Sequence, residues 1–282
     1  MAFQSVEQLL SAASDRPLWQ AVQEDDCRDR GADCADSHAR MEALWAAMKR
    51  SVAEYDPAKR SASGLSGGEG AKMAAAVNPL CGPFLQQVIA TALMVGEQNA
   101  CMGRIVAAPT AGASGVMPAA LLPLQEREGL SDAQMVECLY VAAGFGQVIA
   151  ARASISGAEG GCQAEVGSAS GMAAAALVHA RGGTPQQMAA GCAMALQNVL
   201  GLVCDPVAGL VEVPCIKRNV MGATNALACA DMALAGLSTP IPCDEVIDSM
   251  GVVGRCLPAA LRETGEGGLA ATPAGRRIAQ GL

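Results

Sequence analysis

Aromatic residues are nearly absent from this chain, at 2% of 282 residues. Its core must therefore be made from Ala, Leu, Val and Met, side chains that suit helices in close approach. Period-two alternation is also missing and β-branched residues are sparse, which excludes a strand-built fold and leaves all-α, a single compact helical domain. Positive charge is in deficit. The net charge of −8 argues against a nucleic-acid surface. Met1-Ala2-Phe3-Gln4 has neither the basic region nor the apolar run of a signal peptide. The longest apolar runs are interrupted by Glu97, Glu137, Arg152 or Gln197-Asn198, so no membrane span is expected. Histidines number two, His38 and His179, and both read as structural or exposed. No C-x-x-C pair occurs, so cysteine spacing alone does not decide for or against a metal.

Cysteine itself is abundant, at 12 residues. Without a secretory signal this implies a reducing, cytoplasmic setting and thiol or metal roles rather than a disulfide framework. Glycine is abundant too, at 32 residues, and marks many tight turns or close backbone approaches. Residues 1–60 read as a helical lead-in, in which Met41, Leu44, Trp45, Met48 and Val52 recur at helical spacing before Pro57. The acidic patch at Glu24, Asp25, Asp26 and Asp29 reads as a solvated loop, flanked by Cys27 and Cys34. Residues 61–282 read as one continuous catalytic region. A helix is expected from Phe84 toward Val106, then one with Pro118 in its first turn and Gly129 at its stop. Ser131 with Gln134, and Thr184 with Gln187, form capping boxes. The second opens a helix to about Val203, followed by helices at 218–236 and 244–262. No internal repeat or long linker appears.

One stretch, Glu159 to Asn219, organises the rest. It opens E-G-G-C-Q-A-E-V-G and closes G-L-V-C-D-P-V-A-G-L-V-E-V-P-C-I-K-R-N. Gly160-Gly161 precede Cys162, Asp205-Pro206 follow Cys204 and Pro214 precedes Cys215, so these sulfurs sit at bends or helix ends. Cys101, Cys138, Cys192 and Cys229 lie instead inside apolar helical patterns and read as core. Three thiolates are suited to an iron–sulfur cluster with one iron left open. Buried structural cysteines remain the alternative.

Two glycine loops accompany the cysteines. Ser66-Gly67-Gly68, ahead of a helix at Glu69, and Thr110-Ala111-Gly112, near Ser114-Gly115, are each either an anion nest or a flexible connector. Lys72 is either a general base or a surface lysine. Lys217 and Arg218 either pair with an anion or mark a helix end. Asp205 and Glu165 either serve a neighbouring thiolate or form turns.

These segments, with S-G-L-S-G-G-E, A-P-T-A-G-A-S-G-V-M-P and R-E-T-G-E-G-G-L-A, resemble the α chain of iron–sulfur-dependent L-serine dehydratases from about Ser61 to Thr272. The resemblance implies a largely helical catalytic domain with a [4Fe–4S] cluster on Cys162, Cys204 and Cys215. It implies conversion of L-serine to pyruvate and ammonia without pyridoxal phosphate. It assigns the substrate carboxylate and amine to Ser66, Gly67, Gly68, Thr110, Ala111 and Gly112, and the base is placed at Lys72. Single-chain relatives carry a second, smaller domain, so a separate β chain and an oligomer are expected. Some relatives end in a cysteine that covers the open iron. Here the last cysteine is Cys256, so an oxygen-sensitive site is expected. Rival readings are a cluster hydro-lyase for another β-substituted amino acid, a non-catalytic iron–sulfur protein, and a cluster-free helical interaction protein.

Overall fold

A computed structural model of the chain describes residues 3–282; Met1 and Ala2, the start of the segment read as lacking a leader, lie outside it. The described residues form helices and no strand, with one isolated bridge between Cys204 and Arg262. The all-α expectation therefore holds. The lead-in supplies α1 (Val6–Ala12), α2 (Leu18–Arg30) and α3 (Cys34–Ala53). A short α4 (Glu69–Ala74) and a long α5 (Gly82–Ala100) follow, then α6 (Val116–Glu128) and α7 (Asp132–Arg152). A single turn, α8 (Gly157–Gly160), leads through a π-helix at Gln163–Gly167 into α9 (Ser168–Ala180). The chain ends with α10 (Pro185–Gln197), α11 (Cys215–Leu234), α12 (Cys243–Cys256) and α13 (Pro273–Gln280).

The centre is α9. Its sequence S-A-S-G-M-A-A-A-A-L-V is apolar all round, and every residue from Ser168 to Val178 is buried. Its small side chains admit α6, α7, α10 and α11 around it. Gly171 is needed there, because a Cβ would meet the Cys192 sulfur at 3.0 Å. The lead-in packs onto α7: a Cβ at Gly144 would meet Val22 and Leu9, and buried Trp45 donates from Nε1 to Asp132. By length and apolar composition α7 could cross a membrane, but most of it is buried between its neighbours.

Both capping boxes form, and Gly129 ends α6 in the left-handed conformation at φ 66°. Elsewhere the boundaries move. The helix expected to reach Val106 stops at Ala100, where Met102 turns left-handed at φ 59°. The helix expected to reach Val203 stops at Gln197, and Asn198 donates to Asn225 across to α11. The one expected at 244–262 stops at Cys256, ahead of Pro258. The acidic patch is not a loop: it lies on α2, where Asp25 is buried and Asp26 accepts from Ser37 at 2.6 Å. Cys27 and Cys34 are joined as a disulfide, contrary to the expectation of free thiols, because Asp33 starts α3 at a point that sets the two Cα atoms 5.4 Å apart.

Candidate active site

Cys162, Cys204 and Cys215 arrive from three separate segments, and all are buried. Cys162 sits between α8 and the π-helix, a local widening often found at functional sites. Gly161, at φ 75°, allows the approach: a Cβ there would meet the Leu202 carbonyl at 2.9 Å. Gln163 then fastens this corner. Its amide donates to the carbonyls of Gly160 and Met250, and its oxygen accepts from Gly201 N–H at 2.9 Å. Cys204 is held from the other side by the C-terminal segment. Its N–H donates to Leu261, and its carbonyl accepts from Glu263 at 2.8 Å. Cys215 is the first residue of α11, directly after the cis Val213–Pro214 bond.

The three thiols share one electrostatic environment. The Cys204 thiol pairs with Cys162, which holds Cys162 below its ordinary value, with help from the Arg218 guanidinium. The same pairing and burial push Cys204 up. Burial pushes Cys215 up to about 12. Arg218 also donates to the Val203 carbonyl at 2.8 Å and to buried Asp205 at 2.7 Å. The second Asp205 oxygen accepts from Leu269 N–H at 2.8 Å, so one carboxylate ties the C-terminal segment to the cysteine loop. Glu165 lies against Cys204 at 3.7 Å, with its carboxyl raised by burial. Glu165, Cys204 and Glu263 bring donor atoms within 4.8 Å of one another. Buried thiols resist ionisation unless a cation compensates. Soft sulfur donors fit a thiophilic group such as an iron–sulfur cluster, and the guanidinium beside them offsets the negative charge of thiolates.

Residues 211–215 connect this centre to both glycine loops. Val211 packs where a Cβ on Gly112 would meet it at 3.4 Å, and Glu165 lies equally close to that point. Glu212 accepts from Ser63 at 2.8 Å, and Ser63 shares a hydrogen bond with Ser61, whose hydroxyl accepts from Ser66 N–H at 3.2 Å. Asn219, one turn into α11, donates to the carbonyls of Gly112 and Cys215 and accepts from Gly115 N–H at 2.8 Å. The Thr110 hydroxyl is buried beside Glu165, whose carboxyl it helps to hold down against the effect of burial. Ser66 and Gly112, one residue from each glycine loop, are thus linked to the cysteine-bearing segment.

Other sequence candidates are placed differently. The N–H groups at the start of α4 are not open to an anion. Those of Glu69 and Gly70 donate to buried Glu97, which also accepts from Tyr55 at 2.5 Å. Lys72 is exposed on the last turn of α4, and it makes no ion pair among the described residues. Lys217 turns away from the cysteines and pairs with Glu69 at 2.8 Å. His38 and His179 pair with Glu42 and Glu137, away from the site. Sequence reading missed Gln163, Glu212, Asn219 and Glu263. All but Glu263 lie inside the organising stretch, but nothing local marks an Asn or Gln as a cross-link between distant loops.

A family model described as serine dehydratase alpha chain matches residues 13–270. The chain is 57% identical over 221 residues to the probable L-serine dehydratase, alpha chain, of Bacillus subtilis, covering 77% of this chain and 74% of that one. It is 51% identical over 199 residues to the L-serine dehydratase, alpha chain, of Peptoniphilus asaccharolyticus, covering 71% and 68%. It is 47% identical over 182 residues to L-serine dehydratase 2 of Escherichia coli, covering 64% of this chain and 40% of that one.

Proposed function

Because the chain belongs to the serine dehydratase alpha chain family, we propose that it converts L-serine to pyruvate and ammonia, with Cys162, Cys204 and Cys215 as the ligands of a [4Fe–4S] cluster. The observation that carries this reading is the 211–215 segment, which joins the cysteines to both glycine loops. Bound there through three protein ligands, such a cluster supplies a Lewis acid for the serine hydroxyl. The chain's own residues bind and orient the substrate. Ser66, Gly67 and Gly68, with Thr110, Ala111 and Gly112, hold its carboxylate and amine. Arg218 offsets negative charge at the thiolates while Asp205 keeps the guanidinium in place. Elimination breaks the Cα–H and Cβ–O bonds and releases water. The aminoacrylate formed then takes up water and releases ammonia.

Lys72 is the proposed proton acceptor, on the ground that the helix carrying it starts directly after Gly68. Relatives named alpha chain support a separate β chain as partner, in an oligomer. A cytoplasmic setting follows the metabolic character of the reaction.

The test is anaerobic reconstitution with iron and sulfide, followed by spectra with and without L-serine and an assay for pyruvate. Wild type should turn brown, change its spectrum with serine and form pyruvate, and Cys204→Ala should do none of these. Colour untouched by Cys204→Ala would overturn the ligand set. A normal pyruvate rate in Lys72→Met would remove Lys72 from its role.

A further inference from the structure

We propose that Glu212 is the residue that receives the α-ammonium group of the substrate. The inference rests on the serine reading above and adds a counter-charge for the amine, which the glycine loops meet only with neutral groups. Glu212 is 7% exposed. One carboxylate oxygen accepts from Ser63 at 2.8 Å. The other, Oε2, is buried and has no hydrogen-bond partner. No ion pair reaches Glu212 among the described residues. Lys59 and Arg60, the cations of this neighbourhood, are both exposed, and Arg60 directs Nη1 to the carbonyls of Pro57 and Lys59. A buried carboxylate oxygen with neither donor nor counter-charge is costly, so its position calls for a cation brought in by a ligand.

The position of Glu212 specifies the ligand. Its neighbour Val211 faces Gly112, its hydrogen-bond partner Ser63 belongs to the loop that leads to Ser66, and its carbonyl accepts from Ile216 one residue past Cys215. The backbone N–H groups of Gly67, Ala111 and Gly112 donate to nothing among the described residues. These are donors for a carboxylate, and they cannot serve an ammonium group. Glu165 is the other carboxylate nearby, but it faces Cys204 and Glu263. A free α-amino acid carries both charges on one carbon. Carboxylate on the loop N–H groups and ammonium on Glu212 leave the side-chain hydroxyl directed to the cysteines. Three fixed points of this kind also distinguish L- from D-serine.

The test uses reconstituted holoenzyme and two ligands, L-serine and L-glycerate, which carries a hydroxyl in place of the ammonium group. Calorimetry should show wild type preferring L-serine by about 100-fold, the scale of a lost hydrogen bond to a charged group. In Glu212→Gln, which keeps the shape and an acceptor for Ser63, KM for serine should rise by a similar factor. Glycerate affinity should hold within about threefold and the iron content should be unchanged. Equal affinity of wild type for serine and glycerate would overturn the proposal, and this comparison requires no variant. An unchanged KM in Glu212→Gln would also overturn it, by showing that the carboxylate makes no charged contact with the substrate. Absence of pyruvate from wild type would defeat the lyase reading instead, and the two affinities would still decide Glu212.

Discussion

Two groups of three buried cysteines stand in this molecule, and they differ in what surrounds them. Cys162, Cys204 and Cys215 come from loops and helix starts and face Arg218, Glu165 and Asp205. Cys192, Cys229 and Cys243 come from α10, α11 and α12 and fill the core beside Gly171 and α9. Burial raises thiols in both groups: Cys215 to about 12 and Cys229 to about 11. Among the described residues only the first group has a cation against it, and only there is a thiol, Cys162, held low. The Cys192 thiol is raised well above its ordinary value by its pairing with Cys243 and by burial. The lesson is that burial makes a cysteine quiet, and a placed guanidinium with bonded carboxylates gives a buried sulfur group a different charge environment.

The comparison can be broken most directly by exchanging the roles of the two groups. Cys215→Ala should lose nearly all bound iron and fall at least about a thousandfold in serine turnover, the order of losing a metal's electrostatic contribution. Cys192→Ala should keep full iron content and lose about 1–2 kcal/mol in urea unfolding. Iron loss in Cys192→Ala would erase the distinction. A smaller effect is expected for Asp205→Asn, which weakens the link from Arg218 to the C-terminal segment. The loss should be about 2 kcal/mol, with faster proteolysis after Arg262 and slower cluster uptake.

The smallest effect is a pH dependence of the core group. The folded Cys229 thiol titrates near 11, above its ordinary 9.0. Its contribution is therefore fully present below pH 9 and is lost as pH rises toward 11, because the unfolded chain releases the proton first. Between pH 8 and pH 10 the cluster-free protein should lose about 1 kcal/mol through this group. Cys229→Ala should remove that share of the loss in urea titrations at the two pH values.

Much of the scaffold was legible in the chain. The scarcity of aromatics and of alternation sets a helical core of small side chains. The capping boxes at Ser131 and Thr184 and the stop at Gly129 form where the sequence puts them. Helix ends that depend on distant partners were not legible. Asn198 ends α10 by reaching Asn225, and no local residue announces that. The acidic patch looked like a loop because charge hides the apolar face of α2, which Leu18, Ala21 and Val22 bury.

By itself, then, the sequence determined the fold class and the family, and it picked out a cysteine stretch whose Gly and Pro neighbours mark bends. Those are properties of short windows, where propensity and punctuation act over a few residues. It singled out Cys162, Cys204 and Cys215, but it did not show what surrounds each thiol. Pro214-Cys215 and Pro242-Cys243 read alike along the chain, yet one thiol lies near Arg218 and the other against Cys192. Nor did it show that Glu97 occupies the start of α4, or that Glu212 carries an unpaired oxygen. Only the tertiary structure decided these, because desolvation and charge compensation depend on what other segments bring within a few ångströms, and the order of residues along the chain does not encode that distance.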